Sequence, residues 1–154
     1  MSESSPSPSI YLEAEFIRDL TLENTQILDV LNAEQGTITP KMFVDVFTQS
    51  IGDDRYYVTL KIKLEFLVNN VSKYLIEMEY VGRCVVQNAN EDILPFILNL
   101  QCPGIIFPAA RHMIGVLTQN SGLPPFNLQG IDFEDIFRRK QEALKAQSQP
   151  TAQA

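Results

Sequence analysis

Two long runs of strict alternation restrict this chain more than any other feature. Tyr56, Val58, Leu60, Ile62, Leu64, Phe66 and Val68 are apolar or aromatic, while Thr59, Lys61, Lys63 and Glu65 between them are polar. After Asn69, Asn70, Val71 and Ser72 the pattern resumes, with Tyr74, Ile76, Met78, Tyr80 and Cys84 set against Lys73, Glu77, Glu79 and Arg83. Side chains of a strand point to opposite faces in turn, so this is a long antiparallel hairpin with one buried and one wet face. Leu75 and Val81 stand among the polar positions.

The preceding segments are less regular. Ile10, Leu12, Ala14, Phe16, Leu20 and Leu22 alternate with Tyr11, Glu13, Glu15, Asp19, Thr21 and Glu23, and only Ile17 and Arg18 break the order. That suits a strand, although Ile10 to Ile17 also fits helical spacing. Residues 24–41 have no sustained period and contain Gly36 and Pro40, which predicts a long crossover loop. Its apolar residues Ile27, Leu28, Val30, Leu31 and Ile38 either tuck beneath the loop as a satellite core or form a binding surface. Met42 to Thr48 is a short strand ended by Gly52, Asp53 and Asp54.

The C-terminal half is heavily punctuated. Asn88 to Gln101 holds a short helix around Glu91 to Leu100, interrupted by Pro95, before a Cys102-Pro103-Gly104 turn. A helix then runs from about Phe107 to Asn120, with Ile106, Ala110, Met113, Ile114 and Leu117 at helical spacing and Gly122 past its end. Pro108 belongs in its first turn; an earlier start would kink it there. So apolar a helix needs burial on more than one side, in a large core or between subunits. The last helix has Asp132 as its N-cap, acids at Glu134 and Asp135, and Arg138, Arg139 and Lys140 further along, an order that complements the helix dipole. Phe133, Ile136, Phe137 and Leu144 form its apolar stripe.

Composition narrows the function classes. The chain has 154 residues, 45% hydrophobic and 20% charged, which suits one domain with its own core. A polar, Ser- and Pro-rich arm at residues 1–9 and a polar tail at 147–154 flank a domain at 10–146. With 19 acids against 12 Lys and Arg, the net charge of -7 disfavours nucleic acid and favours basic protein partners. Two cysteines, no export-signal pattern and no apolar run of about 20 residues predict a cytoplasmic protein that does not insert in membranes.

Catalytic motifs are missing from the sequence. It has no phosphate-binding Gly loop, no metal-spaced His or Cys cluster and no nucleophile motif, so neither cofactor nor metal is expected. Cys102 and His112 could in principle form a dyad, but a lone His on a helix and a Cys in a turn are ordinarily structural. The wet face of the sheet carries Glu13, Glu15, Asp19 and Glu23 on the first strand and Glu77 and Glu79 on the fourth. Leu75 beside Glu77 adds an apolar contact ringed by acids, a combination suited to docking.

Cys102 to Leu117, CPGIIFPAARHMIGVL, and Gly122 to Phe137, GLPPFNLQGIDFEDIF, together resemble the C-terminal half of the SecB family of bacterial export chaperones. Arg18 to Glu23, RDLTLE, the crossover, the Asp-Asp pair and the hairpin follow in the family's order, so the resemblance spans about residues 10–145. It implies an α+β fold: a four-stranded antiparallel sheet with helices on one face, assembled as a dimer of dimers. It implies an ATP-independent holdase that keeps unfolded precursors competent for translocation and passes them to the SecA motor ATPase. By position, Asp19, Glu23 and Glu77, with Leu75, correspond to the SecA-docking residues. The client groove would take Leu31, Ile38, Phe126, Phe133 and Phe137. The long helix, with Ala110, Met113, Ile114 and Leu117, would lie between the sheets of the tetramer, facing Ile76, Met78 and Tyr80. A small-ligand carrier or hydrolytic enzyme using the cupped sheet as a pocket is the alternative.

Overall fold

The computed structural model describes residues 4–148. Four strands, β1 (Ser9–Glu23), β2 (Ile38–Gly52), β3 (Arg55–Val68) and β4 (Val71–Gln87), form one antiparallel sheet in the order β1-β4-β3-β2. Asp53 and Asp54 (φ 54° and 58°) and Asn69 and Asn70 (φ 50° and 65°) close the two hairpins with positive φ at both central positions. Asn and Asp tolerate that left-handed region, and turns of this hand match the twist of the flanking strands. β3 and β4 pair apolar with apolar, Leu60 opposite Tyr80, Ile62 opposite Met78 and Leu64 opposite Ile76.

β1 is a strand throughout, which resolves the ambiguity at Ile10 to Ile17. The breaks in its alternation mark two bulges, one between Leu12 and Ala14 and one between Ile17 and Asp19. Each extra residue turns the following side chains to the other face until the next bulge restores them. Glu15 and Ile17 therefore share the inner face with Gly82 and Tyr80, and Phe16 joins Val81 on the outer face. Glu15 consequently leaves the wet face on which simple alternation puts it.

β2 is longer than Met42 to Thr48 and contains Pro40, which an edge strand tolerates because one side of its backbone makes no ladder bonds. In the crossover, α1 (Ile27–Leu31) splits the apolar residues between both readings: Val30 is buried, while Leu28 and Leu31 are exposed. Lys73 holds α1 through Asp29 at 3.2 Å and Gln26 at 2.8 Å.

No turn separates the helices around Cys102. α2 (Leu94–Phe96), a single π turn (Ile97–Gln101) and α3 (Cys102–Asn120) run on without leaving helical backbone geometry. Pro103 cannot donate to Asn99, and the widened turn immediately before it absorbs that loss. The start at Phe107 is thus corrected, and Pro108 lies inside α3. The Gly104 carbonyl, deprived of Pro108 as a donor, belongs to an exposed residue that water can serve. Ile106, Ala110 and Ile114 press α3 onto the inner faces of β3 and β4, and all three are fully buried. α4 (Phe133–Ser148) begins as expected, with Asp132 Oδ1 accepting from the Asp135 amide at 3.0 Å. It runs through Gln147 and Ser148, the first residues of the expected tail; residues 149–154 and 1–3 lie outside the described range.

Candidate interaction surfaces

The outer face of the sheet, which α3 does not touch, gathers the acidic residues through strand register. Asp19 stands opposite Glu79, Thr21 opposite Glu77 and Glu23 opposite Leu75. Asp19, Glu23, Leu75 and Glu77 thus share one face, as their positions predict. Their charges are unequally available. Arg18 lies 3.0 Å from Glu79, and Lys63 lies 3.9 Å from Glu77 and 3.7 Å from Glu65. Among the described residues Asp19 and Glu23 have no ion-pair partner within 4.0 Å, so they offer the freest negative charge at the β1 edge.

Further along the same face Glu13 has another role. It takes a bidentate contact from Arg55 (2.8–3.1 Å), and Arg83 lies 2.8 Å away. The Arg55 hydrogen bond holds the Glu13 carboxyl below the ordinary range. Beside it Phe16 meets Tyr57 edge-on at 6.4 Å over the fully buried Val81. Glu13 is an internal clamp between strands rather than a docking group.

The expected client-groove residues divide. Ile38 and Phe126 line one cavity of about 300 Å³ with Val30, Phe66 and Leu123. Phe126 stacks edge-on against Phe66 at 5.6 Å, and its loop is fixed because the Phe126 amide donates to Thr118 Oγ1 at 2.8 Å. Phe133 and Phe137 are elsewhere, on the underside of α4, against Phe107 (5.8 Å) and Phe96 (5.5 Å). Leu31 is exposed outside the cavity lining. Phe66 was missed because a strand aromatic reads as core; only the fold of the 121–128 loop over β3 brings it to the groove.

Five of the seven expected subunit-contact residues are already buried within one chain. Ile76, Met78, Tyr80, Ala110 and Ile114 are 0–6% exposed within one chain, because α3 packs on its own sheet and seals both layers. Met113 and Leu117 remain half-buried on the flank of α3. The exposed apolar residues include Leu20 (38% exposed) and Leu22 (43%) on the inner face of β1, and Ile105 (44%) on α3.

Cys102 and His112 do not meet. Cys102 is fully buried against Cys84 in the core, and His112 is exposed on α3. Hydrogen bonding to Cys84 and burial push the Cys102 thiol far up, so it stays protonated. The cupped face has no room for a substrate pocket either, since Val58, Leu60, Ile62, Leu64 and Ile76 are all fully buried under the helix. Among the described residues no helix is long and apolar enough to cross a membrane, and no group of three or more His, Cys, Asp or Glu could hold a metal.

Comparison with known proteins agrees with this architecture. A family model described as preprotein translocase subunit SecB matches residues 3–144. A protein-export protein SecB from Jannaschia sp. (strain CCS1) is 33% identical over 152 residues, covering 96% of this chain and 88% of the relative. The protein-export protein SecB of Nitrobacter hamburgensis is 28% identical over 147 residues, covering 96% and 92%. A solved SecB-like chaperone of Mycobacterium tuberculosis, in complex with a ChAD peptide from an antitoxin, shares the fold with a TM-score of 0.64 at 11% identity, over 79% of this chain and 90% of that one. With the sheet order, the long helix on its inner face and a family match over nearly the whole length, the chain belongs to the SecB family.

Proposed function

We propose that this chain is a protein-export chaperone of the cytoplasm, which binds unfolded precursors without ATP and delivers them to SecA. The observation that carries this reading is the separation of two surfaces on one sheet. An apolar cavity lies by the crossover, and an acidic outer face holds Asp19, Glu23, Leu75 and Glu77 together. Unfolded chains expose apolar segments, and a binder that takes them up lowers the free, aggregation-prone concentration by mass action. Burial of apolar area is non-directional, so recognition is broad. The peptide complex of the mycobacterial neighbour is in keeping with client binding on this fold.

Assembly as a dimer of dimers completes the reading. The exposed Leu20 and Leu22 on the inner face of β1 and Ile105 on α3, with the half-buried Met113 and Leu117, are the apolar groups a second copy covers in this reading. Apolar groups left exposed in one chain are buried in the assembly. The acidic face stays open, because it lies on the opposite side of the sheet.

Handover then depends on charge and not on nucleotide. Glu77→Lys, which reverses a charge on the acidic face, is expected to lower SecA affinity at least tenfold while client binding and assembly stay unchanged. Unchanged SecA affinity, measured by titration at low salt, would contradict the assignment.

A further inference from the structure

α3 carries no acid, and its two basic side chains, Arg111 and His112, are neighbours in sequence and exposed. Among the described residues every other arginine, Arg18, Arg55, Arg83, Arg138 and Arg139, pairs with a carboxylate. Arg111 has no such partner among them, although the chain holds 19 acids. Its guanidinium is held 5.7 Å over the Phe107 ring instead, a contact that engages the charge and does not use the N–H donors.

Arg111 and His112 line a cavity of about 400 Å³ between α3 and the loop at 125–127, together with Gln119 and Asn127, whose amides are further donors. No Asp or Glu is in that lining. Gly115 forms part of its wall from mid-helix, where glycine costs about 1 kcal/mol relative to alanine. Packing does not demand it: a Cβ there would lie 3.7 Å from the Phe126 carbonyl oxygen, an ordinary contact. The absent side chain widens the cavity. Phe126 and Asn127 also line the apolar cavity of about 300 Å³ by the crossover, so one short loop separates a basic chamber from an apolar one.

We infer that the Arg111 cavity is an acid subsite beside the client cavity: it takes the carboxylate of an Asp or Glu on a client segment whose nearby apolar side chain fills the crossover cavity. This rests on the client-binding reading above and gives that broad recognition one polar preference. A guanidinium fork meets a carboxylate with two parallel hydrogen bonds, which together are stronger than a neutral pair. The net charge of -7 opposes acidic segments at long range, but salt screens that field beyond about 8 Å. A single carboxylate among neutral residues is therefore the occupant that fits. A second copy is not, because none of Leu20, Leu22, Ile105, Met113 and Leu117, the groups assigned to assembly, lines the cavity.

The probes are labelled short peptides with a central Leu-Phe-Leu among serines and glycines, one Asp placed one to four positions beyond it, and the same peptides with Asn in its place. Anisotropy should show the best-placed Asp peptide binding about tenfold more tightly than its Asn twin, as one charge-assisted pair implies. Arg111→Gln should abolish that difference. Gly115→Ala should shrink it while raising the melting temperature, since alanine favours the helix and fills part of the cavity. Equal affinities for the Asp and Asn peptides at every spacing, or a difference that survives Arg111→Gln, would overturn the acid subsite alone. No binding of any peptide in the set would contradict the client reading as well. A fall in assembly mass on Arg111→Gln, with no Asp preference in the parent chain, would assign the cavity to a second copy instead.

Discussion

Gly82 of β4 lies directly beneath Ile106 of α3, so close that a Cβ on Gly82 would come within 2.7 Å of Ile106 Cγ2 and 3.3 Å of Leu12 Cδ1. The contact lets the helix settle onto the sheet, and it explains a glycine in the middle of a long strand, where glycine is otherwise unfavourable. Ile106 is fully buried and β-branched, so it cannot swing away.

Gly82→Ala should therefore destabilise the chain by about 1–3 kcal/mol, the usual cost of overpacking. Chemical denaturation would show a lower midpoint at an unchanged slope. Combined with Ile106→Ala, the loss should be smaller than the sum of the two single losses, because the two residues share one space.

Tyr74 ties the hairpin to the end of α3. Its hydroxyl lies 2.8 Å from Ser121 Oγ, and the side chain is 1% exposed. Burial pushes its phenol above the ordinary range, although the Ser121 hydrogen bond acts in the opposite direction. A raised native pKa means that the folded chain keeps a proton the unfolded chain releases at about pH 10. Its contribution is full below that pH and falls as the pH rises through the native value. Tyr80, also raised by burial, acts in the same sense. Tyr74→Phe should cost about 1 kcal/mol at neutral pH and flatten the alkaline fall in melting temperature.

The assembly surface proposed on β1 and α3 makes a separate prediction. Leu22 is half-exposed in one chain, so Leu22→Asp should leave far-UV circular dichroism unchanged. Light scattering after size exclusion should then show the tetramer replaced by smaller species. A persistent tetramer would place the contact elsewhere.

Much of this was legible in the sequence because alternation reports burial directly. The hairpin from Tyr56 to Cys84, its turn at Asn69 and Asn70 and the Asp132 cap all follow from local chemistry. The acidic face was legible for the same reason, as Asp19, Glu23, Leu75 and Glu77 have one parity in register. Glu15 was misplaced because a bulge inverts parity and leaves only a mild irregularity, Ile17 and Arg18, as its trace. The start of α3 was misread because Pro103 and Pro108 predict breaks, whereas a π turn and an exposed Gly104 accommodate them. Ile76, Met78, Tyr80, Ala110 and Ile114 show that apolarity marks burial, and only the packing says against which element. The groove was the least legible, because it joins residues as distant as Val30, Phe66 and Phe126.

The central claim, that the chain is an ATP-independent holdase, is tested most directly by aggregation of a chemically unfolded protein followed by light scattering in the absence of nucleotide. Suppression that saturates near a fixed ratio of assembly to client, with no added ATP, is the predicted result. Aggregation proceeding at its unassisted rate with excess chaperone present would contradict the account.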